Sequence, residues 1–268
     1  MNILPRVNFC STMLPLAPPV GHWEKLHKFV SGYVWKGKLP RVKMSILQRH
    51  KLSGGLGFPN FPFYFWSSTL RPTWLNPTAQ VAWRSLEENL VKPHRLQDLI
   101  YSNIPIKTCK SKFGSLISHL VATWRTVESH SSTHLKFHPH LPLFNNFSLC
   151  LGGHPISFPQ WSDKGINTLS DITSENTLRS FQDLKSNFNL PGTSFFFYLQ
   201  LRSALRAYGV PWGGNFEPHP IHKISGNLST QGLVSALYTF LSKRAEKTLQ
   251  LDSRWSHDLA MAPSTISP

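Results

Sequence analysis

Acidic side chains are scarce in this chain. Thirteen Asp and Glu stand against 28 Lys and Arg, a formal net charge of +15 over 268 residues, and the isoelectric point lies near 10.0. A soluble enzyme working on small molecules does not need so lopsided a balance, and no small-molecule substrate is expected; a polyanionic partner is. Cysteine is scarce too. Cys10, Cys109 and Cys150 are far apart and form no CxxC pair, which argues against a zinc site and against a disulfide framework, and they read as reduced thiols. No apolar run approaches the ~18 residues of a membrane span. The opening MNILPRVNFC is broken by Pro5, and Pro15, Pro18 and Pro19 follow, so it does not read as a signal peptide and a cytoplasmic or nuclear setting is expected.

The residues for catalysis are also missing. Two-metal nucleotidyl transfer needs carboxylates that bridge ions about 3.5–4 Å apart. The one adjacent acidic pair, Glu87-Glu88, points in two directions about 100° apart on a helix and reads as a solvated helix face. There is no Tyr-x-Asp-Asp, no GxxxxGK[ST] phosphate loop and no HExxH. No catalytic residue, metal or cofactor is expected.

What is present is helical periodicity. From Trp23 to Trp35 the apolar residues Trp23, Leu26, Phe29, Val30, Tyr33 and Val34 recur at three- and four-residue spacing, the pattern of an amphipathic helix whose last turn Gly32 weakens. Asn60 is placed to cap a helix running to Leu70, with Pro62 tolerated in its first turn. Val81 to Leu90 reads as a short helix with Val81, Trp83, Leu86 and Leu90 on its apolar side. Phe113 to Val127 is the clearest helix, with Phe113, Leu116, Ile117, Leu120, Val121, Trp124 and Val127 in register. Further helices are expected after Ile166, over Leu178–Phe188, over Ser194–Tyr208 and from about Thr230 to Leu251. No repeat and no sustained period-2 alternation is visible, so the fold is expected to be mainly α.

Between Lys36 and Lys51 lie six cations in sixteen positions: Lys36, Lys38, Arg41, Lys43, Arg49 and Lys51, separated only by apolar and neutral residues. Such a stretch can neutralise phosphates with little regard to sequence, and an ordinary solvated surface is the plainer alternative. His50, Trp35 and Trp66 could add stacking, with the core as an equally good place for Trp35. Arg202 and Arg206, spaced i, i+4 on the expected helix, share a face; a backbone contact and an idle surface pair are both open. His130, His134, His138 and His140 resemble a metal cluster at helical spacing, but Pro139, Pro142 and the lack of a nearby carboxylate or thiol oppose that, and a solvent-exposed polar loop is expected instead.

Several blocks then resemble a known family. MNILPR, FVSGYVWKGKLPRVKMSILQR and GGLGFPNFPFYFWSSTLR, followed by WRSLEENL at 83–90, LFNN at 143–146, WSDKGINTLSDI at 161–172, FQDL at 181–184 and FFFYLQLRSAL at 195–205, resemble the region after the polymerase palm in LINE-type non-LTR retrotransposon polyproteins, especially vertebrate ones. The likeness covers most of the chain in the right order; Phe144 departs from it, where the family commonly shows Trp. The His-, Pro- and Asn-rich stretch over 129–160 reads as an irregular loop between a helical connector over 76–128 and a second helical subdomain over 161–268, and the resemblance implies that residues 1–75 are a thumb-like segment with a basic extension, followed by a helical region. It also implies binding to template RNA or an RNA–DNA duplex, with the missing polymerase domain as a possible partner in trans. The parent's endonuclease, palm and Cys/His knuckle have no counterpart here, and Met1 falls at an internal methionine of the family, as expected of a truncated element. A degenerate fragment serving as a protein-interaction module, or having no function, is the rival expectation.

Overall fold

A computed structural model describes residues 16–70, 83–92, 94–131, 136–213, 216–217, 219–225 and 232–248. The MNILPR opening, Cys10, Val81 and His134 lie outside these. The described chain is mainly α, as expected. Its helices are α1 (His22–Val34), α2 (Met44–Leu47), α3 (Phe61–Thr69), α4 (Trp83–Val91), α5 (Leu96–Tyr101), α6 (Ile106–Ser131), α7 (Pro159–Ser162), α8 (Leu169–Ile172), α9 (Phe181–Phe188), α10 (Phe195–Tyr208), α11 (Pro220–Ser225) and α12 (Leu233–Thr248). Two short antiparallel hairpins pair β1 (Cys150–Leu151) with β2 (His154–Pro155) and β3 (Thr173–Ser174) with β4 (Thr177–Leu178).

Packing divides the chain into two units. The first takes residues 1–71, 126–132 and 228–268; the second takes 72–125 and 133–227. This differs from the four consecutive segments read from the sequence, because α12 belongs to the first unit and 136–160 to the second.

In the first unit α3 is apolar nearly all round, FPFYFWSST, and a helix of that kind belongs in a core. Phe61, Phe63, Phe65 and Leu70 are buried. The Asn60 side chain accepts the Phe63 amide at 3.2 Å, so the expected cap forms. α12 presents Leu233, Leu237 and Leu241, one turn apart and all buried. Tyr238 stacks on Tyr64 with ring centroids 3.9 Å apart. Trp23 of α1 meets Phe65 edge-on at 5.4 Å. The last turn of α6 brings His130 to Phe63 and Trp66, at 5.4 and 5.1 Å.

The second unit is built on the rest of α6. The helix expected over Phe113–Val127 is present, with Ile117, Leu120, Val121 and Trp124 fully buried in this unit. It extends back to Ile106 across a break at Gly114, whose φ 85° and ψ 179° only glycine adopts readily. The expected loop at 129–160 is irregular over 136–158 apart from the β1–β2 hairpin, but it is core rather than solvent-exposed: Leu141, Leu143, Phe144, Leu149, Ile156 and Phe158 are buried around Trp161, Leu169 and Leu201. Backbone bonds tie it down, Leu143 N–H to Asn167 O and Leu169 N–H to Leu141 O, each 2.9 Å. Its polar residues serve that fold. Buried Asn146 donates to Pro142 O and accepts from Ser148 N–H, both at 2.9 Å. Capping boxes start α8 at Thr168 and α9 at Ser180.

α4 forms where expected but turns a different side inward. Leu86 and Leu90 are exposed, while Val91 and Glu87 are buried, Glu87 to 4 % exposure. Glu87 is therefore not on a solvated face. Leu86 and Leu90 lie on one side of the helix and Glu87 and Val91 on the next, so the i, i+4 leucine spacing was a true amphipathic signal read with the wrong side facing in.

Candidate nucleic-acid interface

The basic connector begins where α1 ends. Gly37 N–H donates to Gly32 O at 2.8 Å and Lys36 N–H to Tyr33 O at 3.3 Å, the paired bonds of a Schellman cap. Lys36 occupies its left-handed position with φ 50°, where glycine is the usual residue, and Gly37 follows at φ 75°. The chain turns out at this point. Lys36, Lys38, Arg41, Lys43 and Lys51 are all exposed, and among the described residues none of the five forms an ion pair. Lys43 precedes α2 in extended conformation, and its carbonyl accepts the Ile46 and Leu47 amides.

Arg49 departs from this row. It is 7 % exposed, which removes it from the set of phosphate ligands expected from the sequence. The cause is the GGLG turn, which folds back over it: Leu56 and Phe58 both donate to Leu47 O, Gly55 to His50 O and Gly57 to Arg49 O at 2.8 Å. A Cβ on Gly55 would sit 2.2 Å from the Arg49 carbonyl oxygen, so only glycine fits there. Gly54 and Gly57 take left-handed φ of 75° and 63°.

The expected stacking aromatics are elsewhere engaged. Trp66 packs on Phe63 at 5.6 Å, Trp35 is half-buried, and His50 accepts the Leu52 amide through Nδ1 at 3.2 Å. Two aromatics of α1 do face solvent, both on the side that periodicity placed in the core: Phe29 at 78 % exposure and Tyr33 at 79 %; on α10 of the second unit, Phe195 and Phe196 are exposed as well. No residue of α1 is fully buried. A wheel spanning Trp23, Leu26, Phe29, Val30, Tyr33 and Val34 is wider than one contact face, and the helix rests on the Trp23 side of it. The exposed pair had no signal separating it from the core in sequence.

Arg202 and Arg206 belong to the second unit. Both are exposed on α10; the Arg202 guanidinium lies 6.0 Å from the Tyr198 ring centre, a cation–π contact that holds it. Arg206 stands in the last turn, where a cation suits the helix dipole, and the helix closes on Gly209 at φ 79°.

The histidines divide between the units. His130 packs in the first; in the second, His138 is 2 % exposed rather than solvated, its ring 4.4 Å from that of Tyr101. Among the described residues no group of three or more His, Cys, Asp or Glu is arranged to hold a metal, and no helix is long and apolar enough to cross a membrane. The two described cysteines are free: Cys109 is buried, and Cys150 donates its thiol to Phe147 O at 3.4 Å. No family model matches the chain.

Proposed function

We propose that this protein is a non-catalytic fragment of a LINE-type retrotransposon reverse transcriptase that binds template RNA or an RNA–DNA duplex through the phosphate backbone. One observation carries the reading: five exposed cations, Lys36, Lys38, Arg41, Lys43 and Lys51, stand without ion-pair partners among the described residues, on one connector of a chain with net charge +15. Unpaired surface cations are the groups that displace condensed counterions from a polyphosphate. Arg202 and Arg206 are secondary candidates. The resemblance of the connector and the GGLG block to the post-palm region supplies the parent, and the absence of paired carboxylate motifs from the sequence supports a binding role.

The test is binding of the purified chain to a labelled RNA hairpin and an RNA–DNA duplex across a salt series. Affinity falling linearly on a log–log salt plot supports the reading; no binding at low salt ends it.

A second reading, a protein-interaction fragment, is favoured by Leu39, Leu52 and Leu56, which stand exposed along the same connector. The separate polymerase domain supplied in trans would cover them. Pull-down of that domain that survives nuclease treatment, and is lost when the three leucines become serine, supports this reading.

A further inference from the structure

Phe29 and Tyr33 stand one turn apart on α1, at i and i+4, so their rings are neighbours on the helix surface. Both project into solvent. The helix is anchored by a different side: Trp23, Leu26 and Val30 are half-buried, and Trp23 makes its edge contact with Phe65. The two exposed rings therefore contribute nothing to seating the helix.

What surrounds them is positive. Lys25 precedes Phe29 by one turn on the same side, and Lys36 and Lys38 follow Tyr33 along the chain; all three are exposed, whereas Lys28 lies one turn from Glu24 on the other side of the helix. The Lys36 amide is bonded to the Tyr33 carbonyl, so the aromatic pair leads directly into the basic connector. Glu24, the acidic residue of α1, lies about 180° around the helix from Tyr33. The ligand that matches flat apolar faces set among cations is a polyanion with flat apolar faces of its own. Single-stranded nucleic acid has them available, whereas a duplex keeps its base faces inside the stack. A purely apolar protein surface would leave the flanking lysines without a counterpart.

We propose that Phe29 and Tyr33 form a stacking platform for bases of single-stranded nucleic acid whose phosphates run along Lys25, Lys36 and Lys38. The proposal rests on the phosphate-binding reading of the connector and adds a strand preference to it. The connector holds backbone of any form; the platform favours unpaired bases.

The test compares the full chain with Phe29→Ala/Tyr33→Ala and with Phe29→Trp/Tyr33→Phe, which keeps both rings. Equal melting temperatures establish that all three fold alike. The probes are an adenylate oligonucleotide in ribose and in deoxyribose form, an abasic strand of equal length and a blunt duplex. The expected result is a loss of about tenfold or more by the alanine variant on both adenylate strands, unchanged affinity for the abasic strand and the duplex, and recovery in the variant with aromatic rings. Parental affinity of the alanine variant for adenylate, or an equal loss on the abasic strand, overturns the proposal. So does concentration-dependent self-association of the parent that the alanine variant abolishes without change in adenylate binding, which would mark the rings as a protein contact. A parent that binds none of the probes at low salt removes the phosphate-binding reading itself, an outcome distinct from loss of the platform alone.

Discussion

The phenol oxygen of Tyr238 accepts the backbone amide of Asn60 at 3.1 Å, across 178 residues of chain. One side chain thus satisfies the amide at the start of α3 while its ring stacks on Tyr64. Replacing Tyr238 with Phe keeps the stack and removes the acceptor, and should cost about 0.5–1.5 kcal/mol. Tyr238→Ala should cost clearly more, about 2–4 kcal/mol, since ring contacts go as well. Urea denaturation of the three proteins checks the order, and equal stabilities would contradict the joint role.

Lys36 combines strain with charge. A non-glycine residue at φ 50° in a Schellman cap is less stable than glycine by about 1 kcal/mol. Lys36→Gly is therefore expected to raise stability by roughly that amount while lowering the slope of the log–log salt plot by about one. Opposite movements of thermal midpoint and salt slope would show a cation kept at a position where stability favours glycine.

The GGLG turn separates two kinds of glycine. At Gly55 an added methyl meets the Arg49 backbone; at Gly54 it meets open space but an unfavourable φ of 75°. Gly55→Ala should cost about 1–3 kcal/mol or more from overpacking, and Gly54→Ala about 1 kcal/mol from backbone strain. Denaturant midpoints of the two variants test the ranking. Gly55→Ala should also expose Arg49, which limited proteolysis between residues 47 and 58 would report.

Much of the helix pattern was legible because its signals are local. The Asn60 cap, Pro62 in the first turn and the 3.6-residue rhythm of Phe113–Val127 each act within a few residues, and each appears where the sequence puts it. The side facing inward was less legible. On α1 and α4 apolar residues cover more than one contact face, and tertiary packing chose the Trp23 and Glu87–Val91 sides. The 136–160 segment lacks any period, yet it is core, because its order comes from bonds to residues 102 and 167–169 that no local pattern announces. Several blocks that carry the family likeness proved to be fold-forming: LFNN holds buried Asn146, WSDKGINTLSDI holds buried Trp161 and the Thr168 capping box, and GGLG holds the fold over Arg49.

Stability should depend on pH through partly buried imidazoles. Burial holds His94 below its ordinary 6.5, with Lys112 adding to the effect, and burial does the same to His119. A lowered folded pKa means that the unfolded chain binds more protons; the stabilisation is complete above about 6.5 and is lost as pH falls through the folded values. Asp98 acts in the opposite sense, because burial raises its carboxyl despite the 2.8 Å pair with Arg95. Comparing the parent with His94→Gln/His119→Gln cancels that term. The thermal midpoint of the parent should fall more between pH 7.5 and pH 5 than that of the double variant; equal falls would contradict the assignment.

The central claim is that the connector grips phosphate. The most direct measurement is the salt dependence of duplex binding by the parent and by a variant with Lys36, Lys38, Arg41, Lys43 and Lys51 all changed to Gln, at matched thermal stability. If all five cations engage phosphates, the log–log slope should fall in magnitude by about four to five, with most low-salt affinity lost. An unchanged slope and affinity in the variant would place binding elsewhere and contradict the account.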